Sequence, residues 1–510
     1  MTILEDLLSN VPKQNQAIII PDGGPELNFE QLLSVIDQFK QDLAALGGGK
    51  LLGAQDAVSI SLVNSLEYVV SFLAVAGNSL IAAPLNPNYK QSEFEFFIED
   101  MKSKLLIVPK GSVKDNYAAV AAARTFKTAI AEVAWDGKKV AIELVETGSG
   151  LDAEKPLRAS GRDDIAFVLH TSGTTGRPKA VPLLQRNMLA SVRNIIGCYR
   201  LTQTDVSYLV MPLFHVHGLI CGLFAALSAG GSVIIPSKFS ASSFWTHWQQ
   251  HGATWYTAVP TIHQILLKHD LPKEQPKIRF IRSCSSSLAP SVFAELEAKL
   301  KAPVLEAYAM TEACHQMTSN NLPPDVRKPG TIGIGHGVEV VILDDKDNVL
   351  PPHQEGEISI RGKNVTPGYL NNPKANAESF TKVFNYFRTG DQGKLDDDGL
   401  LIITGRIKEL INRGGEKISP IELDSVMLSY PDVSEAVSFG VPDEMYGQQV
   451  NAVIVLKPGT TATQEDSQKY MGEKVDKYKV PVKVFFTDVM PKTATGKIQR
   501  RIIAEKFASN

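Results

Sequence analysis

Short β-branched runs alternate with helix-length amphipathic stretches through most of the first 330 residues. That alternation restricts the chain to an α/β fold with large, mainly parallel sheets. Val58 to Leu62, Lys104 to Val108, Ile165 to Leu169, Ser232 to Ile235 and Lys277 to Ile281 read as strands, with Ser65 to Ala76 and Ser291 to Leu300 as helices among them. After about residue 330 the strands come closer together: Val338 to Leu343, the turn Asp344 to Asn348, then Gly356 to Ile360, the texture of an antiparallel sheet or barrel. The charged segment Gly405-Arg406-Ile407-Lys408-Glu409 then leads into a last stretch with its own α+β alternation. It reads as a hinge before a small domain, giving a body over 1–405, a hinge at 406–409 and a C-terminal domain over 410–510.

Bulk properties exclude more than they assign. The 510 residues suffice for two to four domains at about 150 residues each, and 44% apolar with 21% charged residues is ordinary for a globular protein. A net charge of −3 gives no footprint for DNA, RNA or an anionic membrane, so any anion must be held by a local site. Cys198, Cys221, Cys284 and Cys314 form neither a disulfide framework nor a zinc motif and are expected as reduced thiols. Val206 to Ser237 carries no Asp, Glu, Lys or Arg, but Pro212, His215, His217, Gly230-Gly231 and Pro236 interrupt it. A buried core segment is expected there, with no integral membrane association. No secretory signal opens the sequence and no S-K-L type address closes it.

The strongest local signal is Thr171-Ser172-Gly173-Thr174-Thr175-Gly176-Arg177-Pro178-Lys179, directly after an apolar strand. It does not fit the Walker A pattern. Two glycines that admit close approach, four hydroxyls and two cations are nevertheless the ingredients of a polyphosphate cradle, the alternative being a polar turn without ligand. Tyr308-Ala309-Met310-Thr311-Glu312, Tyr386-Phe387-Arg388-Thr389-Gly390-Asp391, Gly405 to Glu409, and Pro491-Lys492-Thr493-Ala494-Thr495-Gly496-Lys497 follow in order.

These five motifs together resemble the signatures of the acyl-adenylate-forming superfamily, which includes acyl-CoA synthetases, firefly luciferase and the adenylation domains of peptide synthetases. The resemblance implies a large N-terminal body of two parallel-type α/β sheets plus a small distorted β-barrel, followed by a small mobile α+β C-terminal domain. It also implies ATP, Mg²⁺ and coenzyme A as cofactors and co-substrates. On this reading Thr171, Ser172, Gly173, Thr174, Thr175, Gly176 and Lys179 hold phosphates. Ser285, Ser286, Tyr308, Ala309, Met310 and Thr311 line the nucleotide, Asp391 takes the ribose hydroxyls and Arg406 the sugar or α-phosphate. Thr175 and Glu312 hold the metal through hard oxygen donors. Lys497 stabilises the charge that builds as a carboxylate attacks the α-phosphate. Lys408 is the hinge residue, and Gly414, Gly415 and Glu416 pass the pantetheine arm of CoA.

For the acid, His215 in Pro212-Leu213-Phe214-His215-Val216-His217-Gly218 resembles the histidine that closes over the adenylate, while His217 reads as a core residue. With Ser287 and His315, it would make a small donor-rich pocket suited to a second carboxylate. The segments Arg282 to Ser287 and Glu306 to Ala313 most resemble the oxalate-CoA ligases of fungi and plants, which implies oxalate as substrate. The alternatives are another small, aryl or medium-chain acid, or an enzyme that loads a carrier protein, although no carrier domain follows Lys497. An RNA-binding role lacks any interleaved aromatic and basic motif. The expected state is a monomer or homodimer in the cytoplasm or peroxisome.

Overall fold

The structure is a computed structural model that describes residues 2, 5, 11–151, 153, 155–171, 177–493 and 496–508. Among these, two large sheets form the N-terminal body. One has seven strands in the order Val140–Glu146, Ala129–Trp135, Leu105–Pro109, Ala57–Ile60, Ile81–Pro84, Ile165–Thr171, Lys179–Leu184. Its five central strands are parallel, and each edge is antiparallel. The other has nine, ordered Ile334–Gly335, His315–Ser319, Val304–Met310, Phe280–Ser283, Trp255–Ala258, Val206–Tyr208, Ser232–Ile234, Gln16–Ile19, Glu26–Asn28. Its six strands from Val304–Met310 to Gln16–Ile19 are again parallel, and His315–Ser319, Ile334–Gly335 and Glu26–Asn28 are antiparallel. Such strands are apolar on both faces because helices cover both sides.

Local chemistry sets the helix starts. Ser65 accepts from the Tyr68 amide at 3.2 Å and opens Leu66–Gly77, a helix buried on every side, as its unbroken apolar run requires. Asn28 and Gln31 form a capping box at the start of Phe29–Ala44, whose buried Phe29, Leu32, Val35, Ile36, Phe39 and Leu43 recur at helical spacing. The uncharged stretch after Val206 is mostly buried: a strand, the π-helix His217–Ala225 and the strand Ser232–Ile234. No described helix is long and apolar enough to cross a membrane.

The strands Val338–Leu343, Gly356–Gly362, Phe387–Leu395 and Leu401–Arg406 form an antiparallel meander. Reciprocal backbone hydrogen bonds of 2.8 Å tie Leu401 to Ile332 and Gly333, linking its last strand back to the segment before Ile334–Gly335 and giving the distorted barrel. After the 3₁₀ turn Ile407–Glu409, a separate sheet is built from Ile411–Arg413, Glu416–Ile418, Val433–Asp443, Gly447–Leu456 and Lys483–Phe486, with the helices Pro420–Leu428, Gln464–Gly472 and Arg500–Phe507. It has its own apolar core around Ile418, Leu423, Ala452 and Met471.

Most strands keep their expected bounds to within two residues, and one departs further. The run expected over Lys277 to Ile281 is found at Phe280–Ser283. Its ladder includes Arg282, which pairs in register with Thr257 and Leu305 and is wholly buried.

Candidate active site

The antiparallel pair Ile165–Thr171 and Lys179–Leu184 sets Thr171 opposite Lys179. This closes the base of the phosphate motif, while Ser172, Gly173, Thr174, Thr175 and Gly176 lie outside the described residues. The Lys179 ammonium stands 4.0 Å from the centroid of the Tyr369 ring, whose hydroxyl donates to Glu312 Oε1 at 2.8 Å. Glu312 is buried in the 3₁₀ turn Thr311–Ala313, directly after the strand carrying Tyr308, Ala309 and Met310. Burial pushes its carboxyl above the usual range, with Tyr369 and Lys179 opposing. Burial likewise lowers the Lys179 ammonium, Glu312 opposing and Lys408 adding to the lowering, so the turn holding Lys408 faces this group. Among the described residues no cluster of three or more His, Cys, Asp or Glu side chains forms a metal cage. A single buried carboxylate beside a phosphate motif fits Mg²⁺ that arrives with the nucleotide, since Mg²⁺ takes one or two carboxylates and completes its shell with phosphates and water.

Tyr308 donates its hydroxyl to Asp391 Oδ2, and Arg406, paired in register with Asp391 across the meander, donates Nε to Oδ1 at 3.1 Å. Asp391 is therefore held on both oxygens. A carboxylate offers about four lone-pair directions, so acceptor capacity remains.

Lys497 brings the C-terminal domain into this constellation. Gly496 adopts φ +81°, and a Cβ there would meet Thr261 Oγ1 at 2.8 Å, so glycine lets the loop dock closely on the body. Lys497 keeps contact with solvent while protein crowds around it. That crowding, then Arg406, lower its pKa from the usual lysine value, with Asp391 and Glu409 opposing. The same ammonium is felt by His215, which burial first and Lys497 second depress to about 4. His215 stands in a tight turn: its Nδ1 accepts from the His217 amide at 3.2 Å, and a Cβ on Gly218 would fall 2.3 Å from the Pro212 carbonyl.

The histidine pocket differs in one member from its expected composition. Ser287 is exposed, whereas the half-buried Ser285 sits 3.1 Å from His217 Nδ1. His217 and His315 are both buried, with ring centroids 5.1 Å apart. Ser286 is exposed and donates to the Ser285 carbonyl at 2.8 Å. Gly414, Gly415 and Glu416 form an exposed hairpin turn, its Gly414 amide donating to the Tyr446 carbonyl at 2.8 Å, apart from the Lys497 group. Sequence reasoning missed Tyr369, Thr261 and the buried Arg282. Tyr369 follows Pro367-Gly368 with no local sign of its two partners, and only the fold brings them together.

A chain whose C-terminal lysine lies beside the tyrosine-bound carboxylates of its N-terminal body has the arrangement of an ATP-using, adenylate-forming enzyme. The comparisons agree. Residues 8–370 match the AMP-binding enzyme family and residues 422–497 match the AMP-binding enzyme C-terminal domain, so the chain belongs to the AMP-binding enzyme family. It is 51% identical to a Saccharomyces cerevisiae oxalate–CoA ligase, covering 97% of this chain and 95% of that one. It is 47% identical to an Arabidopsis thaliana oxalate–CoA ligase, covering 99% and 98%. Among solved structures, ATP-bound MatB from Rhodopseudomonas palustris superposes with a TM-score of 0.89 at 29% identity over 100% of this chain and 99% of that one. MatB without ligand gives 0.79 at 28% identity with the same coverage.

Proposed function

We propose that the chain is an ATP-dependent oxalate–CoA ligase. In the first half-reaction an oxalate oxygen attacks the α-phosphorus of ATP, the bond to the β-phosphate breaks, and oxalyl-AMP and pyrophosphate form. In the second, the sulfur of CoA attacks the oxalyl carbonyl, the bond to AMP breaks, and oxalyl-CoA and AMP leave. One observation carries the reading: Lys497 is close enough to Arg406, Asp391 and His215 to share their electrostatic field, which suits a cation meeting charge as it develops on the α-phosphate. The oxalate assignment is supported by the two oxalate–CoA ligases at 51% and 47% identity over nearly the whole chain.

In this mechanism Tyr308 lies against adenine, Asp391 accepts from the ribose, and Lys179, Arg406 and the motif around Thr175 hold phosphate oxygens. Glu312 and Thr175 hold Mg²⁺, which screens the phosphates when bound. Neutral His215 covers the reacting carboxylate and excludes water. Residues 406–409 act as the hinge between the body 1–405 and the domain 410–510: after adenylation the domain turns about Lys408, withdrawing Lys497 and bringing in the hairpin of Gly414, Gly415 and Glu416 for CoA. The four buried thiols suit a reducing compartment, the cytoplasm or the peroxisomal matrix.

Oxalate-dependent exchange of labelled pyrophosphate into ATP tests this reading. The wild type exchanges only with oxalate present, and Lys497→Ala loses the exchange by about 100-fold. Unchanged exchange in that variant removes Lys497 from the reaction.

A further inference from the structure

Three residues past Lys497, Arg500 opens the last helix, and its guanidinium is engaged in three directions. Nη2 donates to Asp424 Oδ2 at 2.8 Å, on the helix Pro420–Leu428, and Nη1 donates to the Ser438 carbonyl in the strand Val433–Asp443. Nε donates at 3.1 Å to Oε2 of Glu409, the last residue of the 3₁₀ turn that follows the meander. The planar fork of an arginine holds three such partners at once, which the point charge of a lysine would not.

The same turn is held from its other end. Arg406, the residue before it, pairs in register with Asp391 and donates Nε to that carboxylate at 3.1 Å. Two ion pairs therefore bracket Ile407 and Lys408, one anchoring the chain to the body and the other to the C-terminal domain.

Lys497 belongs to the second of these anchors. It ends a tight hairpin closed by an antiparallel bridge between Lys492 and Ile498, in which the Thr493 amide donates to the Lys497 carbonyl at 2.8 Å and the Lys497 amide donates to the Thr493 hydroxyl at 3.1 Å. Lys492 donates to Glu435 at 2.8 Å, and Arg500 holds Ser438 three residues along the same strand, so the hairpin is tied to that strand at both of its ends. Through Arg500 the far side of the turn and the lysine hairpin form one piece.

Folding stability is not what the Glu409 pair supplies. Glu409 is exposed, and exposed ion pairs add little to stability. Asp424 and Ser438 already order the Arg500 side chain, so its remaining N–H meets Glu409 at small entropic cost. What the pair adds is a fixed relation between a turn and a lysine 88 positions apart in sequence.

We propose that Arg500, acting through Glu409, is the positioning residue that couples the hinge to Lys497, so that the angle adopted at Ile407 and Lys408 sets where the ammonium stands. This inference rests on the roles given above to Lys497 and Lys408 and deepens them. Glu409 also contributes to the field at that ammonium: crowding by protein lowers its pKa first, Arg406 and Arg500 add to the lowering, Asp391 and Glu409 oppose it, and His215 faces it.

Substitutions at Glu409 test the coupling, because loss of Arg500 would also strip Asp424 of its cation. In oxalate-dependent pyrophosphate exchange, Glu409→Ala lowers kcat about tenfold through misplacement of Lys497, while the KM values for ATP and oxalate stay within about twofold and the melting temperature within about 2 °C. Glu409→Gln keeps a neutral acceptor for Nε and loses only about threefold in kcat. In both variants the alkaline limb moves to lower pH, since one of the two carboxylates facing the ammonium is gone. An unchanged kcat in Glu409→Ala overturns the coupling, and so do equal losses in the two variants, which would leave charge alone at work. A rate loss that tracks a fall in melting temperature makes the pair structural and also overturns it. Exchange that is lost in Lys497→Ala but untouched in Glu409→Ala sinks this coupling only, whereas exchange that survives Lys497→Ala sinks the role of the lysine as well.

Discussion

Lys179 rests its ammonium 4.0 Å from the centroid of the Tyr369 ring, and the hydroxyl of that same tyrosine donates to Glu312 at 2.8 Å. One aromatic side chain thus fixes the spacing between Lys179, proposed to hold phosphate, and Glu312, proposed to hold the metal. Tyr369→Phe keeps the ring and removes only the donor to a charged acceptor, so the Mg²⁺ concentration for half-maximal pyrophosphate exchange rises about tenfold while the ATP KM at saturating Mg²⁺ changes little. Tyr369→Leu also loses the cation–π contact, worth about 0.5–2 kcal/mol, and raises the ATP KM as well. Unchanged Mg²⁺ dependence in Tyr369→Phe would contradict this role.

The pH profile of adenylation follows from two lowered pKa values. His215, depressed to about 4, stays neutral at any pH above that, so no acid limb from it falls near 6.5. Lys497 loses its proton below the usual lysine pKa of about 10.4, so activity that needs its charge falls on the alkaline side earlier than for a free lysine. Arginine stays charged throughout, so Lys497→Arg, at whatever reduced rate, shows no such alkaline limb. Exchange rates from pH 5 to 10 decide it, and superimposable alkaline limbs in the two enzymes would refute the assignment.

Stability should also report a buried histidine. Burial holds His263 near 3, and its Nδ1 lies 3.0 Å from the Tyr256 hydroxyl. The unfolded chain takes up a proton at this side chain below about 6.5 and the folded chain does not, so the difference destabilises the folded state as pH falls. Relative to His263→Asn, the wild type loses about 1.4 kcal/mol between pH 7.5 and 5.5 in urea unfolding. A pH-independent difference would mean that His263 takes up its proton in the fold as readily as in the unfolded chain.

The hinge proposal separates the two half-reactions. Lys408 lies within the 3₁₀ turn Ile407–Glu409, where φ is near that of proline. Lys408→Pro therefore suits the conformation that brings Lys497 to the site and opposes rotation away from it. Pyrophosphate exchange persists within about threefold, while CoA-dependent AMP release falls by at least about tenfold. Equal loss of both would show that Lys408 is not the pivot.

Much of this architecture was readable from local patterns. Ser65 and its following apolar run announce a buried helix, and the order of the motifs from Thr171 to Lys497 anticipates which segments converge. The failures share one cause, that burial of polar groups depends on distant partners. The strand expected to end at Ile281 continues because Arg282 finds Tyr199, Thr257 and Gln316 inside the core, which no neighbour in sequence reveals. Ser287 was expected in the histidine pocket, and Ser285 stands there instead, since the turn after Ser283 directs the earlier hydroxyl inward. His217 does read correctly as a hydrogen-bonded core residue, its ring nitrogens facing Ser285 and Thr257.

The central claim is the chemistry and its substrate, and CoA-dependent AMP release over a panel of acids from oxalate through malonate and glycolate to coumarate and octanoate tests it most directly. The expected result is a kcat/KM for oxalate that exceeds that for every other acid in the panel, with oxalyl-CoA as the thioester product. A preference for an aromatic or long-chain acid, or AMP release without a CoA thioester, would contradict it.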